Sequence, residues 1–270
     1  EKLKEFKRPK ENDAYYMDFV GVSEFYTPER IKKDLEDLKK KESEYEDDQD
    51  TKEMAEYCEA MLERVVQEYD WYGSDFKISP PSNFDDSFFG TDGVLRLARE
   101  KYLSLKYDVT FSRTGNQKKI YNQMKYGIKR DHLSEIRYFK KDGKPVKRFY
   151  TPKAVIFIDV EDLRSLAYAY KNGDTEKLVN HRIKETFFET LVIETKFFSE
   201  MSQDYNSMKS AEGYFDFFNS IKQKSEEIPW MKQKFDFLMN LTNYTQHPVY
   251  KELEQMRIKF ELDEQKNIAA

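Results

Sequence analysis

Cysteine is almost absent: Cys58 is the only one in 270 residues. A lone thiol closes no disulfide within the chain, which fits a reducing compartment, and the expected location is the cytoplasm. Histidine is scarce too, with three in all, so a zinc site of the usual Cys/His kind is excluded. No apolar run approaches the roughly 18 residues of a membrane-spanning helix. The opening stretch "EKLKEFKRPKENDAYY" has no apolar core of the signal-peptide kind. No membrane partner is expected. Gly-rich phosphate loops and G-x-S-x-G elbows are missing as well. A metal, if one is held, would be held by carboxylates, which selects Mg²⁺ or Mn²⁺.

What is present is charge and aromatic surface. Charged residues make up 36% and Phe, Trp and Tyr together 16%. Aromatic side chains bury large areas, so a sizeable core is attainable although apolar content is only 39%. Net charge is −5, but it is unevenly spread. Residues 113–148 hold twelve Lys or Arg against three Asp or Glu, so the remainder of the chain carries −14. A basic segment inside an acidic protein is a candidate phosphate-binding surface. Lys118, Lys119, Lys125, Lys129 and Arg130 are its candidate nucleic-acid contacts. A solvated helix and hairpin tip explains the same charges equally well.

The chain divides on composition into an N-terminal charged helical arm (1–50), an α/β core (51–160) and a C-terminal helical extension (161–270). Thr27 and Pro28 mark a helix start, and 31–53 reads as a charged helix running into an acidic stretch. In 51–69, Tyr57, Cys58, Met61, Leu62 and Val65 recur at helical spacing. "FKIS" is a short strand stopped by Pro80 and Pro81. Residues 88–97 and 102–111 read as an antiparallel pair joined by "AREK". Residues 115–129 are helical, "SEIRYF" is a strand, Asp142-Gly143 is a turn, and "AVIFIDV" (154–160) reads as a strand buried on both faces. Helices are expected over 161–171, 174–202, 206–226, 229–245 and 247–264. Trp71, Trp230, His181, His247 and the Phe/Tyr stripes of the extension read as packing or capping residues.

The stretch "GTDGVLRLAREKYLSLKYDVTFS" (90–112) carries the chemistry. Alternation puts Leu103, Leu105, Tyr107, Val109 and Phe111 on one face and Ser104, Lys106, Asp108, Thr110 and Ser112 on the other. The strand pair is expected to bring Asp92, in the first strand, near Asp108. With a third carboxylate from a packed helix they could hold a hard divalent cation, which lowers the pKa of a bound water and steadies a phosphoryl transition state. Ordinary polar alternation on a half-exposed sheet is the bland alternative.

A strand Asp, a second acidic residue 16 positions later in the next strand, and a following helix resemble the PD-(D/E)xK nuclease superfamily. The resemblance covers about residues 54–160. It implies a restriction-endonuclease-like mixed sheet flanked by helices. It also implies a metal-dependent nuclease acting on DNA phosphodiester bonds, with Asp92 and Asp108 on the metal. Thr110 stands where the motif has lysine, and an uncharged side chain cannot replace that lysine electrostatically. Lys106, on the same face, is the first substitute, with Lys118 or Lys119 behind it. The family often adds a glutamate from the preceding helix, for which Glu63 is first choice and Glu59 second. The alternative is a binding or scaffolding module on the same fold with catalysis lost, engaging nucleic acid through 113–148, or a protein partner or second copy through the helical extension. A third reading makes the acidic arm at 31–53 the functional part, as a mimic of nucleic acid or a binder of a basic partner.

Overall fold

The computed structural model describes residues 22–43, 49–97, 103–141 and 144–269. The "AREK" turn, the Asp142-Gly143 turn and most of the aromatic stretch before residue 27 lie outside these. The fold is mixed α/β and 66% helical, with a four-stranded mixed sheet flanked by helices.

Two helices open it, α1 (Pro28–Ser43) and α2 (Gln49–Glu68). Then come β1 (Phe76–Ser79), α3 (Asn83–Phe89), β2 (Gly93–Leu97), β3 (Leu103–Thr110) and α4 (Arg113–Asn122), which runs on as a π-turn over Gln123–Ile128. Short hairpin strands follow: β4 (Ser134–Ile136), β5 (Lys140–Lys141), β6 (Lys144–Pro145) and β7 (Phe149–Thr151). The strand β8 (Lys153–Phe157) completes the main sheet, whose order is β1-β2-β3-β8. The first three strands form an antiparallel meander, and β8 lies parallel to β3. A parallel neighbour needs a crossover, and α4 with the hairpins supplies it.

The expected strand over 88–97 is shorter than its apolar residues suggest. Ser82 caps α3 by accepting from the Asp85 N–H, and Gly90 ends it in the left-handed region at φ 55°. Asp92 therefore lies in the connection before β2, not within the strand. Its N–H still donates to the Tyr107 carbonyl at 2.9 Å, continuing the ladder by one bond. Gly93 faces the Tyr107 ring so closely that a Cβ would sit 2.2 Å from it. "AVIFIDV" behaves as expected through Ala154, Val155 and Ile156, which are buried. The strand stops at Phe157, and Asp159 caps the next helix.

Seven helices close the chain: α5 (Val160–Lys171), α6 (Thr175–Val179), α7 (Arg182–Asp204), α8 (Met208–Ser225), α9 (Pro229–Met239), α10 (Leu241–Gln246) and α11 (Pro248–Ala269). Two expected helices are each broken by a cap. His181 accepts from the Ile183 N–H and splits 174–202. Asn240 accepts from Thr242 and Asn243 and splits 229–245. One apolar cluster runs from α2 through the main sheet to α11. Tyr72 is central to it, ringed by Phe76, Phe187, Phe188 and Trp230. Tyr107 meets Phe187 at 5.3 Å between ring centres. The apolar face of β3 thus packs on α7, and its other face is left to Lys106, Asp108 and Thr110.

Candidate functional site

The polar face of β3 converges on Asp108, which is 3% exposed. Parallel pairing sets Lys106 beside Lys153 and Asp108 beside Val155, so the first residue of β8 shares the aspartate's face. Lys153 Nζ donates to Asp108 Oδ2 at 2.8 Å and to the Gly90 carbonyl at 3.0 Å. From α4, Lys119 Nζ donates to Asp108 Oδ1 and to the Val109 carbonyl, the latter at 3.1 Å. Asp92 turns back from its connection, and its Oδ2 accepts the Val109 N–H. Lys106 Nζ is held by the Phe89 carbonyl at 2.8 Å. Gly90 is required here twice over. Its φ is left-handed, and a Cβ would lie 3.2 Å from Asp108 Oδ2 and 3.4 Å from Lys153 Nζ.

Burial and charge split the two carboxyls. For Asp92, burial and then the Asp108 charge hold the carboxyl well above the usual range. Burial also works against ionised Asp108, but the Lys153 and Lys119 ammonium groups outweigh it and hold the carboxyl below its ordinary value. Their environments thus push the two carboxyls in opposite directions. Burial, followed by the Lys153 charge, pushes Lys106 well below the usual lysine range. A buried amine driven toward neutrality beside a carboxyl pair is the kind of group that serves acid–base chemistry.

Lys106, Lys119 and Lys153 all line one cleft of about 420 Å³, with Phe88, Phe89 and Tyr126 among its walls. Tyr126 is 47% exposed, with Lys125 and Arg130 over its ring at 5.3 and 5.0 Å. Lys118 is exposed on α4. Lys129 is committed elsewhere, to an ion pair with Glu264. Thr110 is not joined to the cluster by a hydrogen bond. Its hydroxyl serves the turn into α4, donating to the Ser112 carbonyl at 3.3 Å. From α2, Glu59 is buried and its charge acts on Lys119, whereas Glu63 is half-buried. Lys153 was missed in the sequence. The only signal was a cation opening an otherwise apolar, doubly buried strand.

Among the described residues, no three His, Cys, Asp or Glu side chains are grouped to hold a metal ion. The expected trio of Asp92, Asp108 and Glu63 is not brought together as a ligand set. What does converge is Asp108 Oδ1 and the Val109 carbonyl, both on the Lys119 ammonium, with the Asp92 and Glu59 charges acting on the same group. A cation already sits among oxygen donors of the type a hard divalent ion takes. A hard divalent ion here would require the Lys119 ammonium to move aside. The Lys119 side chain is 36% exposed and has solvent to move into.

No family model matches the chain, and neither a curated protein nor a solved structure does.

Proposed function

We propose that this chain is a nuclease-like protein of the PD-(D/E)xK type, directed at nucleic-acid phosphodiester bonds and dependent on Mg²⁺ or Mn²⁺. The observation that carries the reading is buried Asp108, which feels the Asp92 charge and is bonded by Lys119 and Lys153, two of the three lysines that line one cleft. The order of the core supports it. A helix, an antiparallel three-strand meander, a crossover helix and a parallel fourth strand follow the order that the resemblance implies for the core. Asp108, the Val109 carbonyl and Asp92 would hold the metal, which when bound would lower the pKa of a water and offset developing phosphate charge. Lys106 and Lys153 would seat the phosphate, and Lys106 would take the role that Thr110 cannot. Tyr126, Lys125 and Arg130 at the rim offer a stacking face and backbone cations.

One feature favours a second reading, a binding module without catalysis. Both oxygens of Asp108 already carry ammonium groups, so the cluster is electrostatically complete without a metal. The test is cleavage of labelled single- and double-stranded DNA and RNA with Mn²⁺, Mg²⁺ or EDTA, with Asp108→Asn in parallel. Metal-dependent cleavage abolished by the substitution is the expected result. Retained binding without cleavage under any metal would leave the binding module in its place.

A further inference from the structure

A second cleft, of about 660 Å³, opens where α4, the end of β8, α7 and the start of α11 meet. It shares no lining residue with the lysine cleft, and nothing in the proposed nuclease chemistry uses it. Its buried polar atoms are mismatched in one direction. Glu194, on α7, is 1% exposed, and one of its oxygens accepts the Val155 N–H at 2.8 Å. Asn116, on α4, is 4% exposed, and its amide oxygen has no partner. From α11, Glu252 Oε1 is buried and also without one. Among the described residues, α4 and α11 thus each bring to the cleft lining a residue with a buried acceptor that no donor meets, and α7 adds the Glu194 carboxyl. Buried acceptors are normally paired, so this set asks for N–H groups from outside.

Charge points the same way. The lining has six Asp or Glu against three Lys or Arg, and part of that positive charge is already engaged. Arg182 lies 3.8 Å from Asp162. Arg113 rests over the Phe157 ring. Burial, and then the neighbouring Glu252 charge against the help of the Val155 N–H, push the Glu194 carboxyl well above its usual range. An ammonium group in the cleft would relieve that repulsion. A metal ion is the wrong shape of cation, because no three acidic or histidine side chains among the described residues converge on one point. The six carboxyl groups come from three parts of the fold, the start of α5, α7 and α11, which suits a cation carrying several N–H groups along a chain.

We propose that this cleft is a binding site for a linear aliphatic polyamine, with Asn116, Glu194 and Glu252 as the acceptors that hold its ammonium groups. The experiment is calorimetric titration of the full chain with spermidine at physiological salt. Glu252→Gln, Asn116→Leu and Asp108→Asn are run beside it, and folding of each is checked by circular dichroism. Glu252 lies partly at the surface and its substitution keeps shape, so it remains informative if Asn116→Leu fails to fold. One saturable site is expected. Glu252→Gln and Asn116→Leu should each weaken it about tenfold, the loss of one charge-assisted hydrogen bond. Asp108→Asn, in the other cleft, should leave the affinity unchanged. No saturable heat with spermidine overturns the proposal, and so does equal affinity in wild type and Glu252→Gln. Neither result bears on cleavage at Asp108.

Discussion

Asp85 and Asp108 are both buried, at 0% and 3% exposure, yet what surrounds them differs in kind. Asp85 lies in the first turn of α3 and accepts from the N–H groups of Arg137 and Tyr138, at 2.7 and 3.0 Å, and from the Ser82 hydroxyl at 2.7 Å. Two of its three donors are main-chain groups that cannot leave without moving the backbone. Asp108 is met by the ends of two lysine side chains, one of them 36% exposed. Fixed donors make a structural lock, which ties α3 to the approach to the hairpins. Movable donors make a site that can change partners. The contrast separates a carboxylate that holds the fold from one available for chemistry, although burial alone ranks them together.

The comparison breaks most visibly if Asp85 is removed. Asp85→Ala leaves two buried N–H groups and a hydroxyl unpaired, and should cost about 3–5 kcal/mol of stability in urea titration. Asp108→Asn should cost less, about 1–2 kcal/mol, because Lys119 and Lys153 can turn into the cleft. It should also tighten binding of a short single-stranded DNA about tenfold while abolishing cleavage, since two ammonium groups are released toward phosphate. The salt dependence should steepen by about one unit per added phosphate contact. If Asp108→Asn destabilises as much as Asp85→Ala, the lysines are not movable and the distinction fails.

A sharper probe acts on the lysine alone. Lys119→Met removes the cation that now sits among Asp108 and the Val109 carbonyl. Mn²⁺ affinity, measured by calorimetry, should rise about tenfold, which is about 1.4 kcal/mol. An unchanged or lower affinity would mean that these oxygens do not form the metal position.

Much of the scaffold was legible because it rests on local rules. Apolar spacing fixed the α2 face through Cys58, Met61, Leu62 and Val65, and alternation separated Lys106 and Asp108 from Leu105 and Tyr107. Other features depended on contacts distant in sequence. The helix at 83–89 hides inside an apolar, aromatic run and is defined by its caps, Ser82 and Gly90. Lys153 joins Asp108 only because β8 pairs with β3 in a particular register, although the two are 45 positions apart in sequence. Which α2 glutamate faces the cluster turns on one helical turn, and Glu59 and Glu63 are equivalent by spacing. Local pattern can give a strand's two faces; register decides which side chains from distant strands share one of them.

The smallest expected effect lies in the pH dependence, where the two aspartates should move in opposite directions. The folded state lowers the carboxyl of Asp108, despite burial, through Lys153 and Lys119. Its stabilising contribution is therefore present above the unfolded value of about 3.9 and is lost as pH falls through the folded value. The stability gap between wild type and Asp108→Asn should shrink as the solution is acidified below about pH 4. The folded state raises Asp85, because burial outweighs its three donors. That group favours folding in its protonated form, so its contribution is full below about pH 3.9 and is lost as pH rises through the folded value. The gap between wild type and Asp85→Asn should be widest in acid and narrow toward neutrality. Urea titrations of the three proteins across this range decide the matter. Gaps that both close toward neutrality would mean the Asp108 lysines do not outweigh its burial, and Asp108 would then be a second lock rather than a site.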